Sequence, residues 1–345
     1  MNQPVPISFV LILSAALVAC SAPIGALDGA VPAVASAEPS VELGSPALTP
    51  APSATSSSSP PSPSPEPIPS PDATPAPSPS GTTTVRAYFI LGGPVGSAGL
   101  VPVLREVPAT KAVARAAMNA LLAGPNAKER GASPAISSTI PSGTELLGLS
   151  IKDGVATVDL SGEFESGGGS ASQIGRLGQV VFTLTQFSSV DSVAFRVDGR
   201  PVTVFGSEGI VLDGAVGRAD SIDPNMSMFE SVLPAIFVDG PAWGAALDYG
   251  GRIWGTANTY EAWLSLSLYD ASGRELYEWQ GHATCGTGCR GTFEKTHWYP
   301  VSEPQWGTLR VLDGDESGLT GGVRRDYPVW LTPGPPGGPE HTCGC

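Results

Sequence analysis

Residues 144–205 constrain the fold most, because strand and helix patterns alternate there with clear turn signals. The β-rich runs 145–151 and 155–160 are joined by Lys152-Asp153-Gly154, where an Asp-Gly pair supplies the positive φ angles of a tight hairpin turn. Ser170 and Gln173 have capping-box spacing at the start of a predicted helix. Its apolar face comprises Ile174, Leu177, Val180, Val181, Leu184 and Phe187.

A second strand pair is predicted after this helix, because residues 193–197 alternate, Asp198-Gly199 turns the chain and residues 202–205 continue as a last strand. Upstream, residues 85–91 predict a first strand. Residues 100–107 are a further extended run, which Pro102 confines to a sheet edge or a loop.

Another helix is predicted between these runs and the first hairpin, with Thr110 as its cap and Gly124-Pro125 at its end. Its apolar face comprises Val113, Ala114, Ala117, Met118, Leu121 and Leu122. The predicted order is β-α-ββ-α-ββ, an α+β module whose two helices cover one face of a sheet. The opposite face is left to solvent or a partner. Its predicted partner-binding residues are Thr157, Asp159, Arg196 and Thr203.

Two segments of this module carry a family resemblance: "IPSGTELLGLSIKDGVATVDLSGEF" at residues 140–164 and "LGQVVFTLTQFSSVDSVAFRVDGRPV" at residues 177–202. They resemble the sporulation and spore germination (GerMN) domain of bacterial envelope proteins, and we assign that domain to residues 85–222. The resemblance implies a small α+β module that has no catalytic residues.

Residues 226–331 are short β-rich runs separated by turn residues, which is typical of an all-β sandwich. Residues 262–269 alternate strictly, and after a turn at residues 270–273 the pattern continues as a paired strand. The segments "WGTANTYEAWLSLSLYDASGREL" and "TCGTGCRGTF" are similar to the immunoglobulin-like domain of bacterial spore germination. Residues 332–345 are predicted to be a flexible tail.

The N-terminal 84 residues predict an anchor and a tether. An apolar run at residues 8–19 is too short to span a bilayer and ends at Cys20 in Leu-Val-Ala-Cys, which resembles a lipobox. Residues 1–20 are therefore predicted to be a lipoprotein signal peptide, with lipidated Cys20 holding the chain on the extracytoplasmic side of the cell membrane. Ordinary secretion without lipidation is the alternative. Residues 21–84, rich in Pro, Ser and Ala, predict a disordered linker.

Charge and motif content argue against two functional classes. A formal net charge of −14 disfavours a nucleic-acid partner. A hydrolase needs a nucleophile beside a base, but the histidines, His282, His297 and His341, lie outside the first module, and the sequence has no Gly-x-Ser-x-Gly motif. His282 and His297 are predicted to lie on the sandwich surface or on edge strands. The sequence predicts no catalytic residue and no cofactor.

Cys285 and Cys289 are predicted to form a local disulfide, since exported chains often meet oxidising conditions and the intervening glycines allow a small loop to close. The alternative is a zinc or copper(I) site that also includes His341, Cys343 and Cys345. Because Cys-x-Cys lacks the usual structural-zinc spacing, we predict no metal site.

Two further features permit ligand binding. Gly167-Gly-Gly-Ser170 before a helix could hold an anion, although a flexible loop with a helix cap is the simpler interpretation. The sandwich is rich in aromatic residues that could stack on sugars or anchor a protein interface, although core packing accounts for most of them. They are Trp243, Trp254, Tyr260, Trp263, Trp279 and Trp298.

The favoured hypothesis is a non-enzymatic envelope lipoprotein whose modules bind other envelope proteins or self-associate. The alternative is binding of a cell-wall glycan or another ligand by the sandwich, and an enzyme ranks third. Exposure of several aromatic rings in one groove would favour the glycan hypothesis.

Overall fold

The computed structural model describes residues 81–94, 96–219, 227–313 and 322–335. The predicted signal peptide with Cys20, residues 21–80 of the predicted linker and residues 336–345, which include His341, Cys343 and Cys345, lie outside this part. The predicted fold class is confirmed: an α+β module is followed by an all-β, immunoglobulin-like module.

The first module begins with a β-hairpin. Its elements are β1 (Thr82–Leu91), β2 (Gly99–Pro108), α1 (Val113–Leu122), α2 (Ala127–Arg130), β3 (Ile136–Ser137), β4 (Leu146–Lys152), β5 (Val155–Leu160), α3 (Ser170–Leu184), β6 (Ser192–Val197), β7 (Arg200–Pro201), β8 (Val204–Phe205) and β9 (Ile210–Val211). The extended run at residues 100–107 is the edge strand β2, which adds a strand to the predicted order. β1 begins at Thr82, inside the span predicted to be linker.

The strands of this module form separate sheets, not the single sheet predicted. β1 lies between β2 and β3, while a second sheet has the order β4-β5-β6-β7. The hairpin of β4 and β5 turns at Asp153 and Gly154, whose φ angles are 51° and 78°. β5 and β6 are parallel, since α3 connects them.

The predicted last strand at residues 202–205 is found only in part. After Asp198-Gly199, Arg200 and Pro201 pair with β6, and Val202 N donates to Phe195 O at 3.0 Å. Val204 and Phe205 then form β8, which pairs with β9 and not with β6.

Both long helices occupy their predicted segments, but their predicted caps are wrong. The N-cap of α3 is Gly169, and Gln173 is buried, where its amide donates to the Gly168 carbonyl. The N-cap of α1 is Ala112, whose N–H donates to the Thr110 hydroxyl. The side chains of Gln173 and Thr110, which were predicted to cap these helices, therefore form other hydrogen bonds.

Polar residues of α3, spaced at helical intervals, bind the free edge of β1. The Gln186 side chain, just beyond the helix, accepts from Arg86 N at 2.8 Å and donates to Arg86 O at 2.7 Å. One turn earlier, Thr183 accepts from Tyr88 N at 3.2 Å, and Gln179 donates to Tyr88 O at 3.0 Å. These contacts replace strand partners, so α3 is fixed to the sheet by hydrogen bonds and by its apolar stripe.

The second module packs two sheets face to face. Its strands are β10 (Ile236–Gly240), β11 (Ala246–Leu247), β12 (Arg252–Ala257), β13 (Trp263–Tyr269), β14 (Glu275–His282), β15 (Gly291–Thr296), β16 (Gln305–Asp313) and β17 (Val323–Leu331). One sheet has the order β10-β12-β15 and the other β11-β17-β16-β13-β14. Leu264, Leu266 and Leu268 of β13 are buried between them, as the strict alternation predicts.

The two modules share one hydrophobic core. A continuous cluster runs from Phe182 of α3 to Phe237 of β10, whose rings lie 5.5 Å apart. We call this boundary between the two modules the seam. Backbone hydrogen bonds also cross it: Trp243 N donates to Pro102 O and Ala235 N to Gly96 O, each at 2.8 Å. The sequence predicts two modules but gives no sign of this direct packing.

Candidate functional site

Three of the four predicted partner-binding residues lie on the outer face of β5 and β6. Val158 and Phe195 point into the core, whereas Thr157, Asp159 and Arg196 are half-buried at alternate positions. Thr203 is exposed, but it lies in the loop between β7 and β8, not on a strand.

Asp159 and Arg196 both hold the turn that follows β6. They are register partners across the parallel pair, Asp159 Oδ1 accepts from Gly199 N at 2.9 Å, and Arg196 Nη2 donates to Gly199 O. Around them the outer face is flat, because Gly148 is the register partner of Asp159, and small Ser150 that of Thr157. The face thus presents a carboxylate and a guanidinium in fixed positions on a shallow surface.

The glycine-rich loop before α3 is already occupied by the chain's own groups. Buried Arg176 donates to the carbonyls of Thr139 and Phe164, each at 2.9 Å, and to that of Gly167 at 2.5 Å. At the start of the helix, the Ser170 hydroxyl donates to the Glu208 carboxylate at 2.8 Å. An acidic group at the helix N-terminus disfavours a bound anion there.

The prediction for the two sandwich histidines is half wrong. His282 is exposed at the end of the edge strand β14, as predicted. His297 is instead fully buried and stacked on Tyr299 at 5.4 Å, and within the described part of the chain neither ring nitrogen has a hydrogen-bond partner. Burial lowers the pKa of His297 to about 4. This ring is part of the core, where it packs against the rings of Tyr277 and Tyr299.

Cys285 and Cys289 are joined by a disulfide, with Cα atoms 5.8 Å apart. The loop is closed at its base by Thr284 and Thr292, since Thr284 N donates to Thr292 O at 2.9 Å. Within the described ranges, no group of three or more His, Cys, Asp or Glu residues is placed to hold a metal ion.

Two of the predicted sandwich aromatics line one groove. Its volume is about 480 Å³, and its walls include Trp254, Trp279, His282, Thr284, Thr292 and Glu294. Trp243 and Trp298 instead pack on Tyr327 and Tyr249. Tyr260 is exposed alone, and Trp263 is half-buried at the start of β13.

Two features, one on the surface and one in the seam, were not predicted from the sequence. The first is a pair of tryptophans. Trp306 and Trp330 face each other across β16 and β17 with ring centroids 5.2 Å apart, and Trp306 is exposed. Trp306 follows Gln305 in an alternating run, a signal that a search for aromatic residues on strands could have found.

The other missed feature is a polar cluster inside the seam. Arg218 Nη1 bonds to Asp239 Oδ2 at 2.8 Å, and the Tyr88 hydroxyl donates to the other Asp239 oxygen. Burial and the nearby Asp239 carboxylate raise the pKa of Tyr88. The pKa of Arg218 is also raised, because the effects of Tyr88 and Asp239 outweigh its burial. Because Tyr88 and Asp239 are 151 positions apart in the sequence, no local pattern predicts the cluster.

Comparison with known families accounts for both modules. The family described as Germane, sporulation and spore germination, matches residues 86–203. The family Gmad2, the immunoglobulin-like domain of bacterial spore germination, matches residues 235–319. The first module is therefore similar to Germane, and the second to Gmad2. The two families match in the order predicted from the sequence, and neither is a family of known enzymes.

Solved structures that are similar to parts of the chain include domains of a sporulation protein. The first GerMN domain of GerM from Bacillus subtilis is 25% identical, with a TM-score of 0.34, and the match covers 40% of this chain and 100% of that one. The tandem GerMN domains of the same protein are 18% identical with a TM-score of 0.32, over 59% of this chain and 61% of that one. A search of curated proteins gave no match. Among the described residues, no helix is both long and apolar enough to cross a bilayer.

Proposed function

We propose that this chain is a non-enzymatic cell-envelope lipoprotein, anchored through Cys20, that serves as a protein-binding or scaffold unit of the spore-germination type. The outer face of β5 and β6 is the contact surface. The observation that carries the proposal is the fixed pair of Asp159 and Arg196 on a shallow, half-exposed sheet face. Charged groups held in place on an ordered surface favour specific recognition, because little side-chain entropy is lost on binding.

The packing of the modules supports a scaffold role. The seam buries the shared core and an ion pair, so the outer face of the first module is held in a fixed relation to the sandwich surface. A partner that contacts the chain at two points then meets both in a defined geometry, which favours binding through avidity.

Proximity labelling in intact envelopes tests the contact surface. Thr157→Arg places a bulky cation on the face while sparing both contacts to Gly199, and the matched control Thr84→Arg changes an exposed threonine of β1. We expect Thr157→Arg to remove partner proteins or self-crosslinks that the wild type and Thr84→Arg retain. Identical labelling profiles for all three proteins would overturn the proposed surface.

The anchor has a separate test. Cys20→Ala should release the protein from the membrane fraction or leave it unprocessed, because the lipid chains are attached to this thiol. Fractionation followed by immunoblotting measures this, with Cys285→Ala as a control for loss of a cysteine. Normal processing and full membrane retention of Cys20→Ala would contradict lipid anchoring.

Glycan or ligand binding by the sandwich is the second candidate function. It is favoured by one observation, that Trp254 and Trp279 line the same groove.

A further inference from the structure

The groove between β12, β14 and β15 combines aromatic and hydrogen-bonding side chains. Trp254 and Trp279 are half-buried, whereas His282, Thr284, Thr292 and Glu294 are exposed. The hydroxyls of Thr284 and Thr292 lie 3.2 Å apart and are able to donate or accept. A groove of about 480 Å³ lies within the usual size range of small-ligand sites.

Both indole rings are fixed by glycines that leave room for them. A Cβ added at Gly281 would lie 2.2 Å from the Trp279 ring, and one at Gly240 would lie 2.1 Å from the Trp254 ring. Each ring therefore lies against the backbone of a strand, where its orientation is set before any ligand arrives. Such preorganisation reduces the entropy lost on binding.

Positive groups lie over both indole rings. The Lys295 ammonium lies 5.5 Å from the centroid of Trp279, and the guanidinium groups of Arg86 and Arg252 lie 5.4 Å and 5.5 Å from that of Trp254. Contacts of this kind at exposed sites contribute only about 0.5–1 kcal/mol, so the exposed Arg252 side chain is readily displaced from the Trp254 ring. The slightly positive C–H groups of a sugar ring suit the same negative ring face.

The charge of Glu294, which lines the groove, is balanced by the neighbouring Arg252, and this suits a neutral ligand with paired hydroxyls. Glu294 and Arg252 form an exposed ion pair at 2.9 Å, so the acidic group already has a cationic partner. A carboxylate accepts and a guanidinium donates, and side by side they match two neighbouring hydroxyls of one sugar ring.

We infer that this groove is a binding site for a neutral oligosaccharide, with Trp279 and Trp254 as stacking surfaces and Glu294 with Arg252 as the hydroxyl-binding pair. The inference deepens the second candidate function and is independent of protein binding through the β5–β6 face. It assigns the saccharide to the sandwich alone.

Isothermal titration calorimetry on the full chain, purified in detergent, tests the site with two probes, tetra-N-acetylchitotetraose and cellotetraose. We expect saturable binding of at least one probe. Trp279→Ala should weaken it about tenfold or more, a change of about 1.4 kcal/mol. Glu294→Gln, on an exposed side chain that the core does not need, should also weaken it.

Trp306→Ala is the matched control, because it removes an exposed tryptophan of β16 that does not line the groove. Its affinity should equal that of the wild type, and circular dichroism should show all variants folded. Absence of saturable binding for both probes overturns the inference. So does an affinity that Trp279→Ala and Glu294→Gln leave unchanged, or one that Trp306→Ala lowers equally. Because purified protein is titrated with sugar, failure here leaves the labelling test of protein binding unaffected.

Discussion

Arg218 and Asp239 in the seam use the same residue types as Arg196 and Asp159 on the outer face, but in opposite settings. The seam pair bonds directly at 2.8 Å and joins two modules. The outer pair shares one neighbour, the backbone of Gly199, and stabilises a turn three residues beyond Arg196. One set fixes long-range packing, and the other fixes local surface geometry.

This difference explains which residues the sequence could predict. The outer pair follows from strand alternation, since every second residue of β5 and β6 faces away from the core. The seam pair depends on how separate modules pack. No local sequence pattern distinguishes Asp239, and its partner Tyr88 is 151 positions away in the sequence. A polar residue near the end of a strand is therefore ambiguous until its tertiary neighbours are known.

The largest effect on stability at neutral pH is expected from Arg218→Met. The methionine keeps apolar packing against Phe182, but Asp239 loses its cationic partner inside the seam. Breaking a buried ion pair in this way costs several kcal/mol, and we expect about 2–3 because the Arg218 side chain retains 30% exposure. Urea unfolding, followed by circular dichroism, measures the loss.

Arg252→Met is the matched control for that change. Arg252 also stacks on an aromatic ring and pairs with an acid, but both side chains of its ion pair are more than half exposed. Its loss should cost less than about 1 kcal/mol. Equal destabilisation by the two substitutions would show that burial of the seam pair adds nothing to its contribution to the free energy of unfolding.

A second large effect concerns the buried imidazole of His297. Its pKa falls from 6.5 to about 4 on folding, so below pH 6.5 the unfolded chain binds a proton that the folded chain does not. Stability is therefore full above pH 6.5 and is lost as pH falls toward 4, by about 3 kcal/mol in total. His297→Phe should remove this part of the acid sensitivity.

The measurement is urea unfolding of wild type and His297→Phe at about pH 7.5 and about pH 5, where linkage predicts a differential loss of about 2 kcal/mol. The difference between the proteins cancels the titration of carboxylates common to both. His282→Phe, at the exposed histidine, serves as the control and should follow the wild type. A parallel pH dependence in His297→Phe would mean that His297 does not titrate differently on folding.

Much of the fold was accessible from the sequence, because its elements follow from short-range patterns. The Asp153-Gly154 hairpin and the apolar stripe of α3 are examples. The same reasoning missed the polar stripe of Gln179 and Thr183, because these residues serve as partners for β1 rather than as a solvated face. It also placed His297 on the sandwich surface or on an edge strand, since nothing in its immediate sequence reveals burial and stacking on Tyr299.

The candidate sites divide in the same way. Thr157 and Asp159 could be placed on one face from alternation alone. The groove could not be derived, because it joins Trp254 of one sheet to Trp279 of the other. Only the sandwich packing brings these two indoles to one cavity.

The smallest effect on stability is expected from Arg196→Met, which applies the substitution used at Arg218 to the outer face. The lost hydrogen bond to Gly199 O lies at a half-exposed site, where water replaces the guanidinium, and Asp159 still holds Gly199 N. We expect a cost of about 0.5–1 kcal/mol, so the fold should persist. Partner labelling should nevertheless fall, because the fixed positive group is removed from the contact surface. A cost as large as that of Arg218→Met would instead make Arg196 a structural residue. If the variant folds and its partner labelling is unchanged, the partner binds a surface other than the outer face of β5 and β6.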